Sequence, residues 1–223
     1  KSREMLQRLS NQDLSNNKWP FMHSGQLSIA GVECLALRIS FSGDLGWEIY
    51  CDAEYQEIIY KTLIKASIIE NGGPVGSRAL MSLRIEKGYG SWSREYSPEV
   101  WPHESGLEKL CKLDKDFLNK RALVENLKNE PRERLVLIKL DEQDCKKSNA
   151  DATGGEPIFY SGKGIGRITS GAYGYNVGMS LALGYVKDVS AGDTVDVMIL
   201  GEPHKGKILK APPFDPEGKI LRG

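Results

Sequence analysis

The sequence predicts an α+β fold in two parts: a mixed strand-and-helix region, then a small all-β barrel or sandwich. Three observations lead there. Apolar residues alternate between positions 26 and 51, then switch to helical spacing between 52 and 87. Beyond Pro131, short strand-like runs recur at intervals of roughly ten residues, separated by Gly-rich turns. The composition changes at residues 129–132, which places a domain boundary there and divides the chain into 1–130 and 131–223.

Taken in order, Met5, Leu6 and Leu9 have the spacing of a helix ending, and Asn16, Asn17 and Pro20 break it. Leu27 and Ile29 alternate on a first strand. Leu35, Leu37 and Ile39 alternate on a second, and Trp47, Ile49 and Cys51 on a third. The last two pair antiparallel through Ser42-Gly43-Asp44. Asp52 is placed to N-cap a helix running to Ile69, with Tyr55, Ile58, Ile59, Thr62, Leu63 and Ala66 on one face. Asn71-Gly72-Gly73-Pro74 stops it. A helix over 75–87 buries Ala79, Leu80 and Leu83 and ends before Gly88, and another covers 117–127. The barrel strands fall at 135–140, 157–160, 165–170, 181–186, 194–200 and 207–210, and the charged run 141–147 reads as a solvated loop.

The bulk composition removes several function classes. Thirty basic residues balance thirty acidic ones, so no long-range field draws the chain to nucleic acid or to an anionic membrane. No apolar run approaches the ~20 residues of a membrane span. No signal peptide stands at the start, although the first residue is Lys1 and not Met, so an upstream segment is expected to have been removed. Cys34, Cys51, Cys111 and Cys145 form no CxxC pair, the pattern of reduced thiols. His23, His103 and His204 are equally dispersed, and nothing has metal-ligand spacing.

Glu48 is the sharpest candidate for chemistry. It lies on a strand just past Gly43 and Gly46, which let a flat ligand approach the backbone closely. A carboxylate accepts two parallel N–H donors, the arrangement on the amino-pyrimidinone edge of a pterin. The same residue also fits the solvent face of a half-buried strand. Trp92 is the second candidate: a helix ending at Gly88 delivers Tyr89 and Trp92 onto a loop, where an indole either stacks on a heteroaromatic ring or caps the core. Arg84 and Glu86 read as an ordinary surface ion pair of little energetic weight. Gly162-Lys163-Gly164-Ile165-Gly166 is a hairpin turn and not a phosphate loop, because it lies among short strands. No Ser-His-Asp, Cys-His or Walker arrangement is recognisable.

Nearly the whole chain resembles the folate-binding aminomethyltransferase (glycine-cleavage T-protein) family. Residues 41–50 resemble its Tyr-Thr-Gly-Glu-x-Gly-x-Glu segment, and Arg84-Ile85-Glu86-Lys87-Gly88 resembles Arg-Leu-Glu-Ala-Gly. Glu104-Ser105-Gly106-Leu107 looks like a further family segment, Asp116-Phe117 with Lys120-Arg121-Ala122-Leu123 looks like another, and 165–186 looks like the signature of its C-terminal barrel. The resemblance implies an N-terminally truncated folate-binding lobe followed by a β-barrel, with tetrahydrofolate as cofactor. By position it implies that Glu48, Tyr50, Trp92 and Arg84 bind folate. Ala79-Leu80-Met81 replaces the family's Ala-Arg-Asp, and Ala172-Tyr173-Gly174-Tyr175 is similar to the sarcosine and dimethylglycine dehydrogenase branch.

In that branch a preceding FAD domain oxidises an N-methyl amine, and tetrahydrofolate captures the one-carbon unit as 5,10-methylenetetrahydrofolate. The partners implied are folate, a small methylamine-derived substrate and the flavin domain, in the mitochondrial matrix or a bacterial cytoplasm. A stand-alone aminomethyltransferase and a non-catalytic folate-binding scaffold are the alternatives. Two departures stand out: Leu80 takes the place of the family's Arg, and Asn119 that of a usual Gly. The family's catalytic aspartate lies upstream of the segment that Lys1 begins. Weak folate binding and no turnover are therefore expected of these residues alone.

Overall fold

The computed structural model describes residues 1–223, which divide into two compact units: Lys1–Lys87 with Phe214–Gly223, and Gly88–Pro213.

In the first unit, β1 (Ser24–Ile29), β2 (Val32–Leu37) and β3 (Glu48–Tyr50) form an antiparallel sheet in that order. Ala30 and Gly31 join β1 to β2 with both φ angles positive, the two-residue turn whose twist matches that of the strands. The inner face carries Leu27, Ile29, Cys34 and Ala36, packed with Trp19 and Trp47. The expectation for β2 is thus reversed: Leu35 and Leu37 turn away from the core. Both parities of 34–37 are apolar, so alternation cannot choose between them. The two indoles, their centroids 5.3 Å apart, pack in the same core cluster as Cys34 and Ala36.

Helix α1 (Ser2–Gln7) and helix α2 (Gln56–Ile69) belong to the same unit. A 3₁₀ turn, Ala53–Tyr55, precedes α2; Asp52 stands before that turn and makes no capping bond. The buried stripe of α2 is Ile59, Leu63 and Ala66, while Tyr55 and Ile58, expected on it, are exposed. Helix α3 (Ser77–Glu86) departs further. Its buried residues are Ser82, Arg84, Ile85 and Glu86; Ala79 is exposed, and Leu80 and Leu83 are half-buried. Arg84 and Glu86, expected at the surface, are instead 1% and 0% exposed.

The second unit is built around a closed barrel. Its strands are β4 (Arg134–Leu140), β5 (Pro157–Tyr160), β6 (Lys163–Gly174), β7 (Met179–Val186), β8 (Thr194–Ile199) and β9 (Glu202–Ile208). They run in the order β4-β7-β6-β5-β8-β9, and β9 pairs back onto β4, so the sheet has no free edge. Ile138, Ile158, Ile168, Val195 and Val197 are among the residues filling the barrel. Ser161 and Gly162, both at positive φ, turn β5 into β6, so the glycine run there is a hairpin.

Helix α4 (Lys120–Asn126) begins after Asn119, whose left-handed φ of 66° explains how Asn stands in for Gly there. The run 141–147, read as a solvated loop, instead forms helix α5 (Glu142–Ser148). Asp141 caps it by accepting from the Gln143 and Asp144 N–H groups. A final helix, α6 (Lys219–Arg222), belongs to the first unit. No helix is long and apolar enough to cross a membrane.

Candidate functional site

The register of β2 and β3 builds a specific surface. Leu37 pairs with Glu48 and Leu35 with Tyr50, and directly opposed residues share a face of the sheet. The side of the sheet away from the core therefore carries two leucines, a carboxylate and a phenol. Leu35 and Tyr50 remain 43% and 53% exposed. The Tyr50 hydroxyl donates to Glu48 Oε2 at 2.7 Å. This bond holds the carboxylate over the sheet and raises the Tyr50 pKa, because ionising the phenol would set two negative charges together. A carboxylate offers about four lone-pair positions, so Oε1 and part of Oε2 can still accept donors. A flat apolar floor with a hydrogen-bond acceptor at its rim suits a planar heteroaromatic ring with a polar edge.

The glycines before β3 do other work than the expected one of admitting a ligand. A Cβ on Gly43, whose φ is 87°, would lie 2.8 Å from Lys87 Cγ, and one on Gly46 would lie 2.9 Å from Ser40 Cβ. The chain's own side chains already fill both approaches. Asp44, between them, has its pKa raised by burial and by nearby Glu86 and Asp215, against the opposing pull of Lys87.

Arg84 belongs to the same unit, beneath the surface on α3. Trp92 belongs to the second unit and is 80% exposed, so it does not cap the core. Its ring meets Tyr96 edge-on, with centroids 5.7 Å apart. The structure thus joins Glu48 to Tyr50 directly, while Arg84 and Trp92 occupy separate settings.

Sequence reasoning missed Glu95, which anchors the loop that presents Trp92. Fully buried, Glu95 accepts from Ser91 N at 2.8 Å, from Thr169 Oγ1 at 2.6 Å and from the Ser170 hydroxyl. Its carbonyl accepts from the Tyr185 hydroxyl at 2.8 Å. The register of β6 on β7 shifts between Ile168 and Ser170, and this bulge turns two consecutive hydroxyls onto one carboxylate. Only the bulge could have signalled the site, and no residue pattern marks it. Glu104, also buried, takes two bonds from the Arg132 guanidinium, which with the Trp101 and Arg132 N–H groups holds its pKa at about 2 against burial.

The structure also sets Ser148 Oγ 2.7 Å from His204 Nε2, a pair not recognised in the sequence. His204 Nδ1 faces the Glu202 carbonyl at 3.0 Å and so carries the ring proton. With a carbonyl in place of a carboxylate behind the imidazole, this is a satisfied buried histidine. No group of three or more His, Cys, Asp or Glu is placed to hold a metal ion.

Two family models and several curated proteins match the chain. The GCVT N-terminal domain matches residues 1–115, and the glycine cleavage T-protein C-terminal barrel domain matches residues 133–215. Mouse mitochondrial dimethylglycine dehydrogenase is 35% identical over 95% of this chain and 24% of its own length. Mouse mitochondrial sarcosine dehydrogenase is 31% identical over 100% of this chain and 25% of its own. The chain therefore spans about a quarter of the length of these curated relatives. The crystal structure of the glycine cleavage system aminomethyltransferase T from Bartonella henselae superposes with a TM-score of 0.78. It is 22% identical, and the match covers 91% of this chain and 55% of that one. The fold is accordingly aminomethyltransferase-like, with a closed C-terminal barrel.

Proposed function

Because the chain belongs to the glycine cleavage T-protein family, we propose that it is the tetrahydrofolate-dependent one-carbon transfer part of an amine-demethylating oxidoreductase. The proposed parent acts on dimethylglycine or sarcosine, in the mitochondrial matrix or a bacterial cytoplasm, and forms 5,10-methylenetetrahydrofolate. The two dehydrogenase relatives support this choice of amine. On this reading, amine oxidation and its FAD belong to the remainder of such a protein. The folate-binding region is residues 1–130 and the barrel region is residues 131–223.

The observation that carries the proposal is the outer face of the sheet. Leu35 and Leu37 give a flat floor, and Glu48 stands at its edge with acceptor positions open. The pterin's paired N–H donors meet the Glu48 carboxylate, and the Tyr50 hydroxyl keeps that carboxylate from swinging into water. Bound tetrahydrofolate supplies the two nitrogens that receive the one-carbon unit. Trp92, on the second unit, and Arg84, on α3, are the other two residues we propose to bind folate. All four bind and orient.

Titration with tetrahydrofolate, followed by intrinsic tryptophan fluorescence, tests the assignment. Glu48→Gln should weaken binding about tenfold or more, the weight of a hydrogen bond to a charged group. Trp92→Ala should weaken it as well. Unchanged affinity in both variants overturns the site.

A further inference from the structure

Two thiols face one another on the side of the sheet opposite Glu48. The ladder between β2 and β3 runs Leu37 to Glu48, Ala36 to Ile49 and Leu35 to Tyr50, and the same register carried one residue past the end of β3 sets Cys51 opposite Cys34. Both have the parity of Ala36 and Ile49, and both pack into the same core cluster. Burial, and then the neighbouring Cys51, push the Cys34 thiol up, so the sulfurs lie within each other's field. Opposed residues of antiparallel strands hold their Cα atoms about 4.5–5.5 Å apart. A disulfide spans Cα separations of about 4.4–6.8 Å, so strand pairing has already brought this pair within range. Neither thiol is bridged in the structure.

We propose that Cys34 and Cys51 are a hydroperoxide-responsive pair that closes to a cross-strand disulfide. Cys51 is half-buried and is the thiol a small peroxide reaches; Cys34, 1% exposed, is the resolving partner. The Cys51 sulfur attacks the O–O bond of hydrogen peroxide, keeps one oxygen as a sulfenic acid and releases the other as water. The Cys34 sulfur then attacks the sulfenic sulfur. The S–S bond forms as the S–O bond breaks, and the departing hydroxide takes up the Cys34 proton as a second water. Two thiols and one peroxide become one disulfide and two waters. The bridge ties the short edge strand β3 to β2 at the end of their ladder, three residues from Glu48. This inference stands apart from the folate assignment.

The test is to treat the full chain with hydrogen peroxide, block remaining thiols with iodoacetamide, and map the peptides by mass spectrometry. A linked Cys34–Cys51 peptide pair is expected, about 2 Da lighter than its two reduced halves together and separated again by dithiothreitol. In Cys34→Ser, dimedone should capture a sulfenic acid at Cys51; in Cys51→Ser, Cys34 should remain a thiol. The wild-type peptide map decides the matter even if either variant fails to fold. Oxidation of Cys51 straight to sulfinic acid without the linked peptide, or bridges to Cys111 or Cys145 in equal yield, overturns the proposal.

Discussion

Lys87 Nζ lies 2.9 Å from Asp215 Oδ2 and 2.6 Å from the Asp215 carbonyl, with both side chains 5% exposed. The two residues are 128 positions apart, yet both belong to the first unit. Arg38, fully buried, adds a second hold on the same C-terminal tail by donating to the carbonyls of Leu221, at 3.0 Å, and Arg222, at 3.3 Å. Two buried cations thus pin a segment that the chain reaches only after completing the barrel. Removing one partner of such a pair leaves the other charge buried and uncompensated. Lys87→Met should lower the melting temperature clearly more than Lys219→Met, whose ion pair with Glu217 is exposed.

The same tail makes stability depend on acid. Burial pushes the Asp215 carboxyl up, but the Lys87 ammonium and the Leu221 and Ile220 N–H groups outweigh it and hold the pKa at about 2. An unfolded Asp titrates near 4. Between those values the unfolded chain binds the extra proton, so this contribution is full above pH ~4 and is lost as pH falls toward ~2. Glu104, also held at about 2, acts in the same direction in the second unit. Urea unfolding across that window should show stability falling with pH, and Asp215→Asn should flatten the slope.

Glu95→Ala should loosen the loop that presents Trp92. It strips the acceptor from the Ser91 N–H and from the Thr169 and Ser170 hydroxyls. Bonds to a buried charged group contribute about 1.5–3 kcal/mol each, so a loss of several kcal/mol is expected by denaturant titration. Trypsin should then cut after Arg94 faster than in the wild type.

Glu48→Gln should let the Tyr50 phenol ionise at lower pH, since the hydrogen bond to the Glu48 carboxylate, and then its negative charge, are what raise it. Difference absorbance during an alkaline titration reads this directly and needs no ligand. An unchanged titration would mean that the Glu48–Tyr50 bond does not form in solution.

Ile138→Ala should destabilise the second unit by about 2–5 kcal/mol, because a fully buried side chain at the barrel centre leaves a cavity that closed strands cannot collapse around. Circular dichroism during urea unfolding measures it.

Where the sequence misled, the cause was local ambiguity. Residues 34–37 are apolar at both parities, so only the packing of the core cluster that holds Trp19 and Trp47 shows that Cys34 and Ala36 face inward. Residues 141–147 lack an apolar stripe, and helix α5 rests on an Asp141 cap whose side chain reads equally well as a turn. The polar burial on α3 has no periodic signature, because Arg84 and Glu86 look like surface residues until the rest of the fold covers them. The strand placement of Glu48 was legible because the turn and the alternation after it mark β3. Glu95 was not, because its partners are joined by a bulge 74 and 75 residues away.

The sequence by itself determined most of the strands and turns and the barrel-forming second half, since alternation and positive-φ turn residues act over a few neighbouring positions; the last strand, expected at 207–210, instead runs Glu202–Ile208. Only the tertiary structure decided which parity of β2 faces inward, which carboxylates are buried, and that the tail returns to the first unit. Those outcomes depend on volume and charge brought together from distant segments, and no short window of sequence contains them.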